Sequence, residues 1–255
     1  ENNSSKNRGG AIYNGDTAIV VNGKGEFIGN TSMTGGAIYN LDVTSNTSFA
    51  TGTNSTFINN KATGNGGAIA NFDGVVNVGQ GNSFSGNNAA SNGGAIYNAN
   101  WQKTSVTNIS GGTSFTNNSA GDKGGAIYNT GNVKLDTTAG NITFSGNTAA
   151  KGADVYLDGA KSSLVVSGTN ASNKVSFGST GSIAGNGSIK HESAGTFELV
   201  NNQDTSAFTG KYTQTSGKTS LNNSAMFDKF EINSGELELL NGSTAVINKT
   251  DKIFK

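Results

Sequence analysis

The sequence predicts an all-β fold, a right-handed parallel β-helix of three-strand rungs, and two recurring phrases with the short runs between them predict it. The first phrase reads Gly9-Gly10-Ala11-Ile12-Tyr13-Asn14 and returns at 35–40, 66–71 (with Ala70 for Tyr), 93–98 and 124–129, with a worn copy at 151–156. The second, Phe-x-x-Asn, precedes each later copy by seven to nine residues: Phe27/Asn30, Phe57/Asn60, Phe84/Asn87, Phe115/Asn118 and Phe144/Asn147. Successive phenylalanines lie 30, 27, 31 and 29 residues apart, the period of a stacked repeat.

Each unit contains three runs suited to strands. In the first unit these are Gly10 to Tyr13, Thr17 to Val21 and Glu26 to Ile28; in the third, Gly67 to Ile69, Val75 to Val78 and Ser83 to Ser85. Gly, Asn, Asp and Ser stand between them and supply turns. Helical periodicity never lasts beyond a turn or two, which argues against helical repeats of similar length. At about thirty residues per rung the 255 residues give about nine rungs, a rod roughly 40 Å long at the β spacing.

Parallel stacking turns equivalent residues into columns. Ile12, Ile38, Ile69, Ile96 and Ile127 are invariant within the chain and apolar, so this column is expected inside. Strand alternation then places Gly10 and Asn14 on the inner side, and Ala11 and Tyr13 on the outer side. The phenylalanines of the second phrase are expected to form an aromatic stack in the core. Its asparagines, with those that close the first phrase, read as amide ladders. A buried amide without partners costs about 1–3 kcal/mol, so each must bond to its neighbours.

Composition narrows the function classes. The chain has zero net charge with 13% charged residues, which gives no electrostatic case for nucleic acid or an anionic membrane. It contains no cysteine and hence neither a disulfide framework nor a thiolate metal site. No apolar run reaches the length of a membrane helix. Glu1-Asn2-Asn3 reads as the remainder of a Phe-x-x-Asn whose Phe is missing, so the chain is expected to be a piece of a longer one. Residues 1–158 form the strong repeat region, and 159–255 read as less regular rungs of the same β-helix. Runs there include Leu164 to Val166, Lys174 to Phe177, Gly195 to Val200, Lys211 to Thr215, Phe230 to Ile232, Glu236 to Leu240 and Ala245 to Ile247.

Gly-Gly-Ala-Ile paired with Phe-x-x-Asn resembles the repeat of the chlamydial polymorphic outer membrane proteins, which are autotransporters. The resemblance covers residues 1–157. Residues 181–240 are similar to autotransporter-associated β-strand repeats, through Gly181-Ser-Ile-x-Gly-x-Gly-Ser-Ile189, Gly195-Thr-Phe-Glu-Leu-Val-Asn201, Phe208-Thr-Gly210 and Gly217-Lys-Thr-Ser-Leu-Asn222. The resemblance implies a passenger exported to the surface of a Gram-negative-type bacterium. It further implies tethering to the outer membrane through a translocator domain outside this chain, and commonly adhesion to host cells.

Enzyme chemistry is the competing class, because β-helices also carry glycan-active enzymes. The best carboxylate set is Asp16, Asp42 and Asp73, each two residues after the asparagine of the first phrase. The position becomes Asn100 and Gly131 in later units, which favours a turn over a weak calcium site. His191, the only histidine, reads as a solvated strand residue. Gly217-Lys218-Thr219 echoes a phosphate loop, but Tyr212 stands where its first glycine is required. Trp101, the only tryptophan, lies in an inter-strand insertion.

The expectation is a non-enzymatic adhesin, without cofactor or metal, that binds a host-cell receptor or glycan. The candidate face is Tyr13, Tyr39, Tyr97, Tyr128 and Trp101. The alternatives are a passive stalk and a glycan-active β-helical enzyme. End-to-end self-association through uncovered rungs is also expected.

Overall fold

The computed structural model describes residues 1–43, 47–200, 208–222 and 229–243, so the expected strand at 245–247 lies outside the described residues. The chain is a parallel β-solenoid with three main sheets. The first, here the tyrosine sheet, stacks seven strands in chain order: Ile12–Gly15, Ile38–Leu41, Ile69–Phe72, Ile96–Ala99, Ile127–Asn129, Val155–Leu157 and Ile183–Gly185. A nine-stranded second sheet runs from Ala18–Val20 to Lys229–Ile232. A nine-stranded third sheet, here the phenylalanine sheet, runs from Glu26–Ile28 to Glu236–Leu240. The one helical element among the described residues is a single 3-10 turn, Thr137–Ala139.

Three-strand rungs are present, but about seven are complete instead of nine. The tyrosine sheet ends at Ile183–Gly185, with a single bridge from Gly185 to Phe208 beyond it. The later described turns lack that strand: from Thr196–Val200 through Lys211–Gln214 to Lys218–Asn222 the chain adds strands to the second and third sheets only. A feature the sequence reading did not anticipate is a fourth, narrow side. Two-residue strands Thr31–Ser32, Lys61–Ala62, Asn88–Ala89 and Ser119–Ala120 form a parallel ladder just after the Phe-x-x-Asn phrase.

Register explains the invariance of the repeat. Phe27, Phe57, Phe84, Phe115 and Phe144 pair in one column, and their rings stack face to face at 4.5–4.9 Å. The column continues into Phe177, outside any repeat phrase, at 4.8 Å. Ile38, Ile69, Ile96 and Ile127 are fully enclosed beside it, while Ile12, in the first rung, is partly buried against the same core.

Two amide ladders flank these apolar columns. In one, each side-chain Nδ2 donates to the next Oδ1 along Asn3, Asn30, Asn60, Asn87, Asn118 and Asn147 at 2.8–2.9 Å. The same oxygens accept a backbone N–H from the preceding rung, and the Nδ2 atoms also reach a phenylalanine carbonyl, as Asn87 does to Phe57 at 2.9 Å. The second ladder links Asn14, Asn40, Asn71, Asn98 and Asn129 at 2.7–2.8 Å. Except for Asn3, which is exposed at the first rung, each amide is desolvated and bonded, the arrangement that removes the penalty of burying it.

The alternation expected for the first phrase holds at Ala11, which is exposed in the first rung, and fails at the alanines of the later rungs. Ala37, Ala68, Ala95 and Ala126 are fully buried in the core beside the isoleucines, not outside. The cause is a break in the pleat: the N–H groups of Ala37 and Ile38 both donate to the carbonyl of Ala68, and the same fork recurs in the next rungs. The two glycines create this corner. Gly35, Gly66, Gly93 and Gly124 have φ of +65° to +68°, which disfavours side chains. A Cβ on Gly36, Gly67, Gly94 or Gly125 would lie 2.0–2.2 Å from the carbonyl oxygen of the next rung.

Candidate binding face

The outer side of the tyrosine sheet carries a continuous ladder of six rings, Tyr13, Tyr39, Phe72, Tyr97, Tyr128 and Tyr156. Neighbouring centroids lie 4.9–6.1 Å apart. Ala70 does not interrupt it, because Phe72, two residues on and therefore on the same side of the strand, fills the gap between Tyr39 and Tyr97. The ladder is not the open aromatic stripe expected. Tyr13 in the first rung is 52% exposed, Tyr97 is half-buried, and Tyr39 and Tyr128 are buried at 3% and 8%. Rings stacked at this distance present edges to solvent and hide their faces in one another.

Cations lie against the second ring and the last. The Arg8 guanidinium lies 5.0 Å from the Tyr39 ring centre, and the Lys123 ammonium 4.8 Å from that of Tyr156. Asp158 accepts from the Tyr128 hydroxyl at 2.7 Å and pairs with Lys123 at 3.0 Å. Burial alone would raise the Asp158 carboxyl. The hydrogen bonds from Tyr128 and Lys123, with the charges of Lys123 and Lys151, outweigh burial and hold it below the usual carboxylate range. Burial, together with Asp158, raises the Tyr128 hydroxyl, so it stays a neutral donor.

The acidic column acts as a support for a loop. Asp16 and Asp73 sit in the left-handed region at φ 61° and 60°, a conformation that aspartate tolerates in turns. Asp16 Oδ1 accepts the N–H of Val43 at 2.7 Å. Asp73, almost fully buried, accepts three consecutive backbone N–H groups of the insertion: Trp101 at 2.6 Å and Lys103 at 3.1 Å on Oδ1, and Gln102 at 2.8 Å on Oδ2. The Lys103 ammonium then reaches back two rungs to Asp42 Oδ1 at 3.2 Å. Asn100 fixes the base of the loop, accepting from Ser105 N–H at 2.7 Å and donating to the Thr130 carbonyl at 2.9 Å. On this fixed backbone Trp101 stands 65% exposed.

Among the described residues no group of three or more His, Cys, Asp or Glu is placed to hold a metal ion. The carboxylates that a calcium reading would use are bonded to backbone N–H groups or to Lys103. His191, expected in solvent, is fully buried. It alternates inward with Ile189 along Ser188–His191, and its Nδ1 lies 3.4 Å from Thr219 Oγ1. Burial pushes its pKa down to about 4, against the effect of a hydrogen bond with the Gly195 backbone. Thr219, taken with the failed phosphate-loop echo, is likewise buried, bonded to Tyr212 and Gln214 at 2.6 and 2.7 Å. The sequence reading missed Asp73 as an organiser, and Phe72 as a member of the ladder. Phe72 could have been found from its place two residues after Ala70.

The family comparison agrees with this geometry. Residues 1–15, 54–71, 83–99 and 112–130 match the model of the Chlamydia polymorphic membrane protein repeat. These stretches hold the strand, corner and stacked Phe-x-x-Asn elements described above; none falls within 181–240, where the second repeat type was expected. No curated protein and no solved structure matches the chain. The chain thus carries, in four places, the repeat of the Chlamydia polymorphic membrane proteins, and is similar to a surface-exposed autotransporter passenger of that kind.

Proposed function

We propose that this chain is an adhesive segment of such a passenger, binding a host-cell protein or glycan without catalysis. The observation that carries the reading is Trp101, a large exposed aromatic on a loop whose backbone is locked by Asp73. Exposed rings of this type dominate recognition surfaces, and a loop already ordered by folding avoids the entropy loss of ordering on binding. The non-catalytic part is supported by the use of Asp73 and Asp42 as loop supports, which leaves these carboxylates bonded instead of poised over a substrate. The tether is a translocator domain outside this chain, and the location is the bacterial surface.

A passive stalk is the second reading, favoured by the burial of Tyr39 and Tyr128, which gives the aromatic ladder a stabilising role. Saturable binding of the isolated chain to cultured host cells separates the two. An adhesin binds; a stalk does not. Turnover of a cell-surface glycan on incubation with the chain would contradict both.

A further inference from the structure

We propose that the Trp101 loop is a carbohydrate site that takes a neutral pyranose stacked on the indole. This rests on the adhesive reading and names the ligand class. A stable protein interface buries about 800 Å² per partner around a cluster of apolar anchors. One aromatic side chain supplies about 150–250 Å². Trp101 is the sole large apolar side chain of the loop, and its neighbours Asn100, Gln102, Lys103 and Thr104 are all exposed and polar. A single ring framed by hydrogen-bonding groups matches one sugar ring, apolar on its C–H face and polar at its rim.

The Lys103 ammonium is paired with Asp42, and Asp73 adds a further negative charge beneath the backbone, so the loop offers no unpaired cation to select an anionic ligand. Asp73 holds three successive N–H groups and Asn100 ties the loop base to Ser105 and Thr130, so the indole has a fixed platform. Weak, small ligands need such preorganisation, because they have little contact energy with which to offset ordering.

The test compares the full chain with Trp101→Ala and Trp101→Phe on host cells that are untreated, oxidised with periodate to destroy sugar diols, or stripped with protease. The expected result is that periodate abolishes binding whereas protease removes it only in so far as it strips glycosylated proteins, that Trp101→Ala weakens binding about tenfold or more, and that Trp101→Phe keeps part of it. Thermal unfolding of the variants should match the parent, since the side chain lies outside the core. Binding that is lost after protease and kept after periodate would overturn the inference in favour of a protein partner. Binding unaffected by Trp101→Ala would overturn it while leaving the adhesive reading intact. No binding by the parent chain to any of the cells would remove the adhesive reading itself.

Discussion

Asp154 stands where the preceding rungs carry the core alanine, and it terminates the longer asparagine ladder. Asn147 Nδ2 donates to its Oδ1 at 2.8 Å, while Oδ2 is buried without a protein partner. Burial pushes its pKa up to about 7, against the lowering effect of Asn147. Because the folded value lies above the ordinary 3.8, the folded state binds the proton more tightly. The stabilising effect is full below about pH 4 and is lost as pH rises to about 7. Asp154→Asn should remove this slope and raise stability at pH 8 by on the order of 1–3 kcal/mol, read from urea midpoints. His191 has the opposite sign. Its folded pKa of about 4 lies below the ordinary 6.5, so its contribution is complete above pH 6.5 and is lost as pH falls through 4. His191→Leu should flatten that acid limb; an unchanged limb would show that His191 titrates freely. Neither residue was legible in the sequence. Asp154 sits in the worn copy of the phrase, where the column no longer identifies its position, and His191 lies in rungs without a repeated phrase to assign sides.

At the level of elements, the phenylalanine and isoleucine columns were legible because parallel stacking demands the same residue at the same place in each rung. Phe84→Ala removes a ring enclosed between Phe57 and Phe115 and should destabilise the fold by about 3–5 kcal/mol. An effect below about 1 kcal/mol would mean that the stack is open to solvent. The side taken by alanine was not legible, because it depends on a forked backbone hydrogen bond and not on side-chain type. The tyrosine ladder was legible as a column but not in its burial, which arises from rings covering one another. Replacing Tyr97 and Tyr128 together with Ser should lower the thermal midpoint with cell binding retained; loss of binding at unchanged stability would assign the ladder to the adhesive face. The Asp73 platform was hidden because an aspartate after a strand reads as a turn former, and its three bonds reach a loop 28 to 30 residues away. Asp73→Asn replaces an acceptor-only carboxylate with an amide that satisfies fewer of those donors. As Trp101 is the only tryptophan, its fluorescence anisotropy should fall in this variant, reporting a loosened loop.

Across the whole molecule, strand pairing passes without interruption from the regular rungs into the irregular ones, through Asn132–Asp136 with Ser163–Ser167 and Ile142–Ser145 with Lys174–Phe177. The rung count was overestimated because three strands per rung were extended into a region where the described turns add strands to the second and third sheets but none to the tyrosine sheet. The outermost described strands leave apolar side chains open, with Val20 63%, Leu239 46% and Leu240 40% exposed. Parallel edges without a further strand partner among the described residues pair with other strands, so the isolated chain should associate end to end with rising concentration in sedimentation velocity; a strictly monomeric chain at high concentration would contradict this.

A rigid β-solenoid that presents one locked aromatic loop for adhesion is tested most directly by the equilibrium binding of the chain and its Trp101→Ala variant to cultured host cells, each shown by circular dichroism to be β-rich and almost free of helix. Saturable binding by the parent, weakened about tenfold or more in an equally stable variant, is the predicted result. Equal binding by both proteins, or none by either, would contradict it.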